Sequence, residues 1–481
     1  MPPRSLRAAR PKAGQAGQTP ARLSSVDDSA PSLPWATEEQ ARQAEERRQE
    51  LLEGLDGRIR LAARETKPHC GDLSPGCRLC VQGLWSCLFI TGRCNGRCFF
   101  CPAEQQADDP PMTNGLVFPR PEGYLEYLEL TGYRGVGLSG GEPLLAPGTT
   151  LEYLSAIKQR FGGDIYVWLY TNGTLADDET LRRLAEAGLD EIRFDIAATG
   201  YDLARARAAV RVIKRVTVEI PAIPEDVPRM KRLLPLMRDA GINYLNLHQL
   251  RLTPFNAKRL ASRGYTFVPG QCSSVLESEL AALELLRCSA EDIGLAVNYC
   301  SFVYRSRFQA AAARTRSAEL IKKGFESLTQ TGLLRSLSLK GPAEALAKQA
   351  QGLAKAGADP TCWIMAGSGQ GLFVHPSLWS LIDWDSVQLT IGYHATRFIQ
   401  SLSYLHPFKE LPLGSGESFF VERIRQGPPL TLSGHEARLF QTRFLLTQQP
   451  FQAPQTEIWL RLQACEEIPC GLQDYGLPPL G

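Results

Sequence analysis

Nothing in this chain is long and apolar enough to span a bilayer. No hydrophobic run approaches the roughly 18 residues required, and the densest, such as Ile165 to Tyr170, have the length of a strand. Excess charge is nearly missing as well: a net charge of +2 over 481 residues gives no global attraction to nucleic acid or to any other partner. Acids are absent before Asp27, and the opening residues show no sustained periodicity. Cysteine is sparse over most of the chain, because seven of the 13 fall between Cys70 and Cys101. A secreted disulfide scaffold is short and cysteine-dense throughout, and no secretory signal is evident. One local group of thiols in a long chain points instead to metal in a reducing, cytoplasmic compartment, with no membrane partner.

What is present divides into four parts. Residues 1–35, rich in Arg, Ala, Pro, Gly and Ser, are expected to be a disordered leader, and their composition also fits an organellar transit peptide. Residues 36–84 combine a largely solvated helix, expected from Thr37 to about Arg64, with an upstream cysteine segment. Residues 85–316 alternate short β-branched or aromatic runs with amphipathic stretches, the pattern of βα units around a parallel sheet. Strands are expected at 85–91, 135–139, 165–170, 191–196, 216–220, 244–250 and 295–300, with helices near 121–130, 149–160, 177–187, 202–212, 228–240 and 274–289. Six such connections make an α/β barrel or an open partial barrel. Residues 317–481 lose this rhythm and read as a mixed α+β region with strand-like pieces at Gly371 to Val374 and Glu457 to Leu462. A role as substrate or cover region is expected for it.

The loop after the first strand is Cys94-Asn-Gly-Arg-Cys98-Phe-Phe-Cys101, a C-x3-C-x2-C spacing. Three thiolates on a cubane leave one iron open to a small molecule, whereas four-Cys ligation serves electron transfer. Gly96 lets the loop bend tightly. A zinc site is the competing reading, although zinc ordinarily takes four protein ligands from C-x2-C pairs. The second strand ends in Ser139-Gly-Gly-Glu-Pro143, where glycines admit close backbone approach and Glu142 can meet an ammonium. Tyr170-Thr-Asn-Gly173 and Asp195 follow the third and fourth strands, at the rim where parallel barrels bind ligands. A plain turn and a structural ion pair are their bland alternatives.

At these places the sequence resembles the radical S-adenosylmethionine (SAM) superfamily, over about residues 85–316. That resemblance implies a TIM-like partial (β/α)6 barrel, a 4Fe-4S cluster on Cys94, Cys98 and Cys101, and SAM as cofactor. It also implies that Phe100 packs near the adenine, that Gly140, Gly141 and Glu142 receive the methionyl ammonium, Thr171 its carboxylate and Asp195 the ribose. An electron donor such as a flavodoxin or ferredoxin is implied as partner. More narrowly, Gly76-Cys-Arg-Leu-Cys80, Leu88 to Gly92, Cys101-Pro102 and Val297 to Cys300 resemble the group related to pyruvate formate-lyase activating enzymes. This narrower likeness conveys no substrate.

Upstream, His69, Cys70, Cys77 and Cys80 either hold a second metal, zinc or iron-sulfur with Cys77 and Cys80 at its centre, or pack as reduced thiols, as expected of Cys87. His248 is a substrate-side acid or base, or a satisfied core histidine. Tyr299 or Cys300 could relay a hydrogen atom. The arginines between Arg305 and Arg316 read as a solvated helix face or an RNA contact. Three functions therefore compete. The first is a radical SAM enzyme that cleaves SAM to a 5'-deoxyadenosyl radical and acts on a protein, peptide or metabolite. The second is a radical SAM modifier of RNA, and the third a non-catalytic zinc or iron-sulfur protein.

Overall fold

The computed structural model describes residues 33–472, except 56, 107, 271, 415, 417, 447–453 and 455; of the leader expected at 1–35, residues 1–32 lie outside them. The last leader residues do have a defined place. Phe267 donates its N–H to the Pro34 carbonyl, and the Trp35 ring meets Phe267 edge-on at 6.2 Å. Helix α1 (Glu38–Leu52) starts at a capping box between Thr37 and Gln40. It stops well short of Arg64, because Gly54 and Gly57 both adopt positive φ and turn the chain into β1 (Ile59–Leu61) and β2 (Lys67–Cys70). Nor is α1 a solvated helix. Ala41, Ala44, Arg48 and Leu51 form one buried face against the helix Leu276–Cys288. In that interface Arg48 forms a buried ion pair with Glu279, Nη2 to Oε1 2.6 Å, so a charged residue occupies a position that hydropathy alone assigns to solvent.

After α2 (Pro75–Val81) the expected alternation begins: β3 (Trp85–Thr91), α3 (Pro121–Thr131), β4 (Gly135–Gly140), α4 (Pro147–Phe161), β5 (Tyr166–Thr171), α5 (Asp178–Glu186) and β6 (Glu191–Phe194). It continues through α6 (Ala204–Val210), β7 (Val216–Pro221), α7 (Val227–Asp239), β8 (Tyr244–His248), α8 (Leu276–Cys288) and β9 (Ala296–Cys300). All seven strands β3 to β9 run parallel and pair in chain order. Covered by helices outside and filled inside, their cores read as near-continuous apolar runs, such as Val136, Leu138, Val167, Leu169 and Ile192, all fully buried. One edge is capped by the antiparallel β2 and β1, the other by a short hairpin at Met112–Thr113 and Leu116–Val117. Helix α2 packs on β3, β4 and β5, where Gly76 lies against Arg193 and Trp168 and fills the lower interior of the curved sheet.

Beyond α9 (Ala310–Glu319) a second, antiparallel sheet forms around β10 (Leu334–Lys340), β11 (Gln388–Ile399), β12 (Phe408–Pro412) and β13 (Ser418–Arg425). Leu372–Val374 is one of its strands, as expected, but Glu457–Glu466 is a helix, α10. Thr456 caps it, and Trp459 and Leu462, three apart, are its buried stripe; the spacing is helical, although the run is short enough to read as a strand. Part of this sheet has its own core, around Leu337, Leu389 and Trp459. Phe398 and Phe419 instead join the core of the parallel sheet, packing edge-on against Tyr127 of α3 at 5.5 and 5.9 Å.

The α1 anchor yields a stability prediction. Arg48→Met leaves Glu279 buried without its guanidinium and should cost about 3–5 kcal/mol in urea unfolding. The double variant Arg48→Met/Glu279→Leu should recover most of that loss; equal destabilisation of single and double variants would show that the pair does not set the cost.

Candidate functional site

A cavity of about 410 Å³ opens inside the curved sheet at the C-terminal ends of the strands. Strand periodicity decides what faces it. Along β7, β8 and β9 every second residue lines the cavity, and the register stacks these in two levels: Glu219, Asn246 and Asn298, then Pro221, His248 and Cys300. One wall carries Cys94, Cys98, Cys101 and Phe100 together with Gly140, Gly141, Thr171 and Asp195. Of the nine residues singled out as ligands or cofactor contacts, eight thus share one cavity. Glu142 does not line it.

The cysteine loop is held from two sides. On one, Gly140 and Gly141 run against Thr91 and Arg93 so closely that a Cβ on Gly141 would lie 2.2 Å from the Arg93 carbonyl oxygen. Glu142 N–H donates to that same carbonyl at 2.8 Å. On the other, Arg259 Nη1 donates to the Cys98 carbonyl, Asn256 Nδ2 to that of Phe100 and the Thr253 hydroxyl to that of Pro102, each at 3.0 Å. Asn172 Nδ2 donates to Asn95 Oδ1 at 2.7 Å and ties the loop to the end of β5.

Glu142 has a different task from the one its motif suggested. Fully buried, its carboxylate accepts from Leu144 N–H and the Thr171 hydroxyl on one oxygen, and from Asn172 N–H at 2.7 Å on the other. Burial pushes its carboxyl up, against the pull of those donors. It is a clamp between the ends of β4 and β5, and the direct ammonium contact gives way to this role. The Thr171 hydroxyl is committed as well, donating to Glu142 and accepting from Gly173 N–H. Asp195 lines the cavity, and its Oδ1 caps the turn after β6 by accepting from Ala197 N–H; burial pushes its carboxyl up to about 7.

The loop suits a cluster. A Cβ at Gly96 would sit 3.4 Å from Cys94 Sγ and 3.6 Å from Cys98 Sγ, so Gly96 lies between two of the sulfurs. Burial, then Asp195, pushes the Cys98 thiol up to about 12, and its proton is one that a bound metal would have to displace. Among the described residues no three ligating side chains converge on one ion position.

Upstream, the residues of the candidate second metal site have separate neighbours. Cys70 Sγ turns to the Leu295 carbonyl, and Cys77 Sγ lies between the amides of Asn246 and Asn298. Cys80 Sγ meets Tyr304 Oη at 3.1 Å and Gln309 Nε2 at 2.8 Å. Cys77 and Cys80 do line the lower cavity, together with Cys87, whose thiol burial pushes up to about 12. His248 belongs to the cavity wall rather than the core, and burial and Arg305 hold it down to about 4, hence neutral. Tyr299 is fully buried and donates to Glu279, so of the two relay candidates only Cys300 faces the cavity.

Sequence reasoning missed the charged floor. Arg193 lies among Glu191, Glu219 and Ser74, at 2.8, 2.8 and 3.1 Å, with its guanidinium over the Trp168 ring. The β6 pattern Glu-Ile-Arg-Phe carries that signal, since two charges inside a buried strand demand internal partners. The basic stretch was also misread. Arg305 lines the cavity, while Arg307, Arg314 and Arg316 donate to the carbonyls of Pro469, Thr331 and Gly83. Among the described residues no position after Gln309 lines the cavity, so the C-terminal sheet does not cover it. Phe398 and Phe419 of that sheet pack on α3 instead.

A family model for the radical SAM superfamily matches residues 88–211. A protein of Methanocaldococcus jannaschii, provisionally named a glycyl-radical enzyme activating enzyme, is 31% identical over 274 residues, covering 54% of this chain and 72% of that protein. A GTP 3',8-cyclase of Pelotomaculum thermopropionicum is 30% identical over 178 residues, 33% of this chain and 54% of that one. Among solved structures, Streptococcus suis SuiB bound to S-adenosylmethionine aligns with a TM-score of 0.37 at 12% identity, over 48% of this chain and 56% of that one.

Two outcomes test this geometry. Gly141→Ala should lose bound iron and SAM affinity, because its Cβ must displace the Arg93 carbonyl, whereas Gly148→Ala, which meets nothing within 4 Å, should load normally. Glu142→Ala strands three buried donors and should cost at least about 2–3 kcal/mol in chemical denaturation, with Glu142→Gln recovering part of it.

Proposed function

Because this chain belongs to the radical SAM superfamily, whose members are enzymes that use a 4Fe-4S cluster and SAM, we propose that the cavity is where SAM is reductively cleaved beside a bound substrate. The observation that carries the reading is the meeting of three loop thiols with Gly140, Gly141, Thr171 and Asp195 on one cavity wall. When bound, cluster and SAM supply the electron and the 5'-deoxyadenosyl radical that takes a hydrogen atom from a protein, peptide or metabolite.

The chain's own contribution is placement and shielding. Cys94, Cys98 and Cys101 offer one thiolate to each of three irons and leave the fourth iron for SAM. Backbone groups of Gly140 and Gly141, which no Cβ obstructs, face the methionyl end, Phe100 offers a ring to the adenine, and the Asp195 carboxyl group meets the ribose. The Glu142 clamp holds those elements at a fixed distance. We read the seven-stranded parallel sheet as an open (β/α) barrel in which α2 fills the lower interior and keeps water from the reacting carbon. An external one-electron donor completes the system. The RNA-modifying alternative gains nothing from the structure, whose basic stretch is spent on internal contacts.

Anaerobically reconstituted protein given a strong reductant should convert SAM to methionine and 5'-deoxyadenosine. Its reduced cluster spectrum in electron paramagnetic resonance should change on adding SAM. Cys94→Ala, Cys98→Ala and Cys101→Ala should each abolish both signals, with the iron content falling below that of the wild type. A fully loaded wild type that releases no 5'-deoxyadenosine would overturn the proposal.

A further inference from the structure

The lower half of the cavity holds two cations, Lys67 and Arg305, that make no ion pair with a carboxylate among the described residues. Lys67 sits on β2, antiparallel to β9, and continuing the pairing of Val297 with Cys70 and Asn298 with His69 sets it opposite Cys300. It is only 1% exposed, and its ammonium meets Cys300 Sγ at 3.5 Å and the Tyr304 ring at 4.3 Å. Arg305, five residues past Cys300, lines the same part of the cavity beside that thiol, over the Phe302 ring at 5.3 Å. Glu219 is the carboxylate nearest in charge terms, but its Oε2 is already taken by Arg193 at 2.8 Å and Asn246 at 3.0 Å. His248 on that wall is neutral, and burial pushes the nearby Cys77 and Cys80 thiols up, so neither adds a negative charge.

A buried cation without a counter-charge is costly, and proteins place one where a partner supplies the charge. Among the described residues neither Lys67 nor Arg305 makes an ion pair with a carboxylate, and the Cys300 thiol is the neighbour they share, so their N–H donors remain open to a ligand. A second unmet group lies one level below Cys300 on the same strand: Asn298 Oδ1 is buried with no hydrogen-bond partner and lines the cavity. A ligand able to use both would carry an anion with an N–H or O–H nearby.

We infer that Lys67 and Arg305 form the binding site for the anionic group, a carboxylate or a phosphate, of the substrate that shares this cavity. Calling the bound anion a substrate rests on the function proposed above; the binding itself does not. Lys67 lies on β2 and Arg305 in the helical segment after β9, neither of them in the cysteine loop or the glycine turn, and on that placement we assign them to substrate rather than to cluster or SAM.

Calorimetric titration of reconstituted, SAM-saturated protein with succinate, with inorganic phosphate and with neutral succinamide tests the inference. One of the two anions should bind saturably in the millimolar range or tighter, and which one does so separates a carboxylate from a phosphate site; succinamide should not bind. Lys67→Met and Arg305→Gln should each weaken the anion at least about tenfold. Iron content and substrate-free 5'-deoxyadenosine formation should stay near wild type, and Arg305→Lys should retain most binding. Absence of saturable binding by either anion in the wild type overturns the inference without needing any variant to fold. Undiminished binding in both variants also overturns it, and so does a fall in SAM affinity in place of anion affinity, which would assign the cations to SAM's own carboxylate. A wild type that binds the anion yet makes no 5'-deoxyadenosine would leave the site standing and remove the function.

Discussion

Two glycines lying against a carbonyl fix the geometry of the whole upper cavity. Gly140 and Gly141 bring the end of β4 into backbone contact with Thr91 to Arg93, and any side chain there would push the two strand ends apart. From that contact the cysteine loop takes its height above the sheet. Glu142 can then reach across to β5, and the Thr171 and Asn172 that answer it complete a belt around three consecutive strand ends. The belt consists of satisfied buried donors and acceptors, so it resists small displacements: moving one element strands the partners of the next.

Much of this was legible in the sequence, for physical reasons that also mark where legibility ends. Parallel strands buried on both faces leave β-branched and leucine runs that length and flanking turns identify, and all seven were placed within two residues of their observed ends. The cysteine spacing and the Gly-Gly-Glu-Pro turn are local, so short segments reveal them. What the motif could not tell was the direction of the Glu142 carboxylate, because its partners come from another strand, about thirty residues on. Lys67 and Arg305 were hidden for the same reason on a larger scale: they are 238 residues apart in the chain, and only the β2 to β9 pairing makes them neighbours.

Errors clustered where a charged or ambiguous residue serves the interior. Arg48 made α1 read as solvated, yet its guanidinium is paired at Glu279 in the helix interface. Four arginines after residue 304 read as a surface face, while three of them reach carbonyls on distant loops and one reaches the cavity. In each case the sequence reports the charge, and the fold decides whether water or another part of the chain compensates it.

The aromatic contact between α3 and the second sheet bears on how the molecule comes apart. Tyr127 stacks with Tyr124 on its own helix and also receives Phe398 and Phe419 from β11 and β13, and all four rings belong to one continuous core. Interiors of this kind transmit strain rather than absorb it. The two sheets consequently form a single cooperative unit over this seam, despite the separate core around Trp459. A chain severed near residue 316 would leave α3 with a bare aromatic face, prone to self-association, in place of an independent catalytic half.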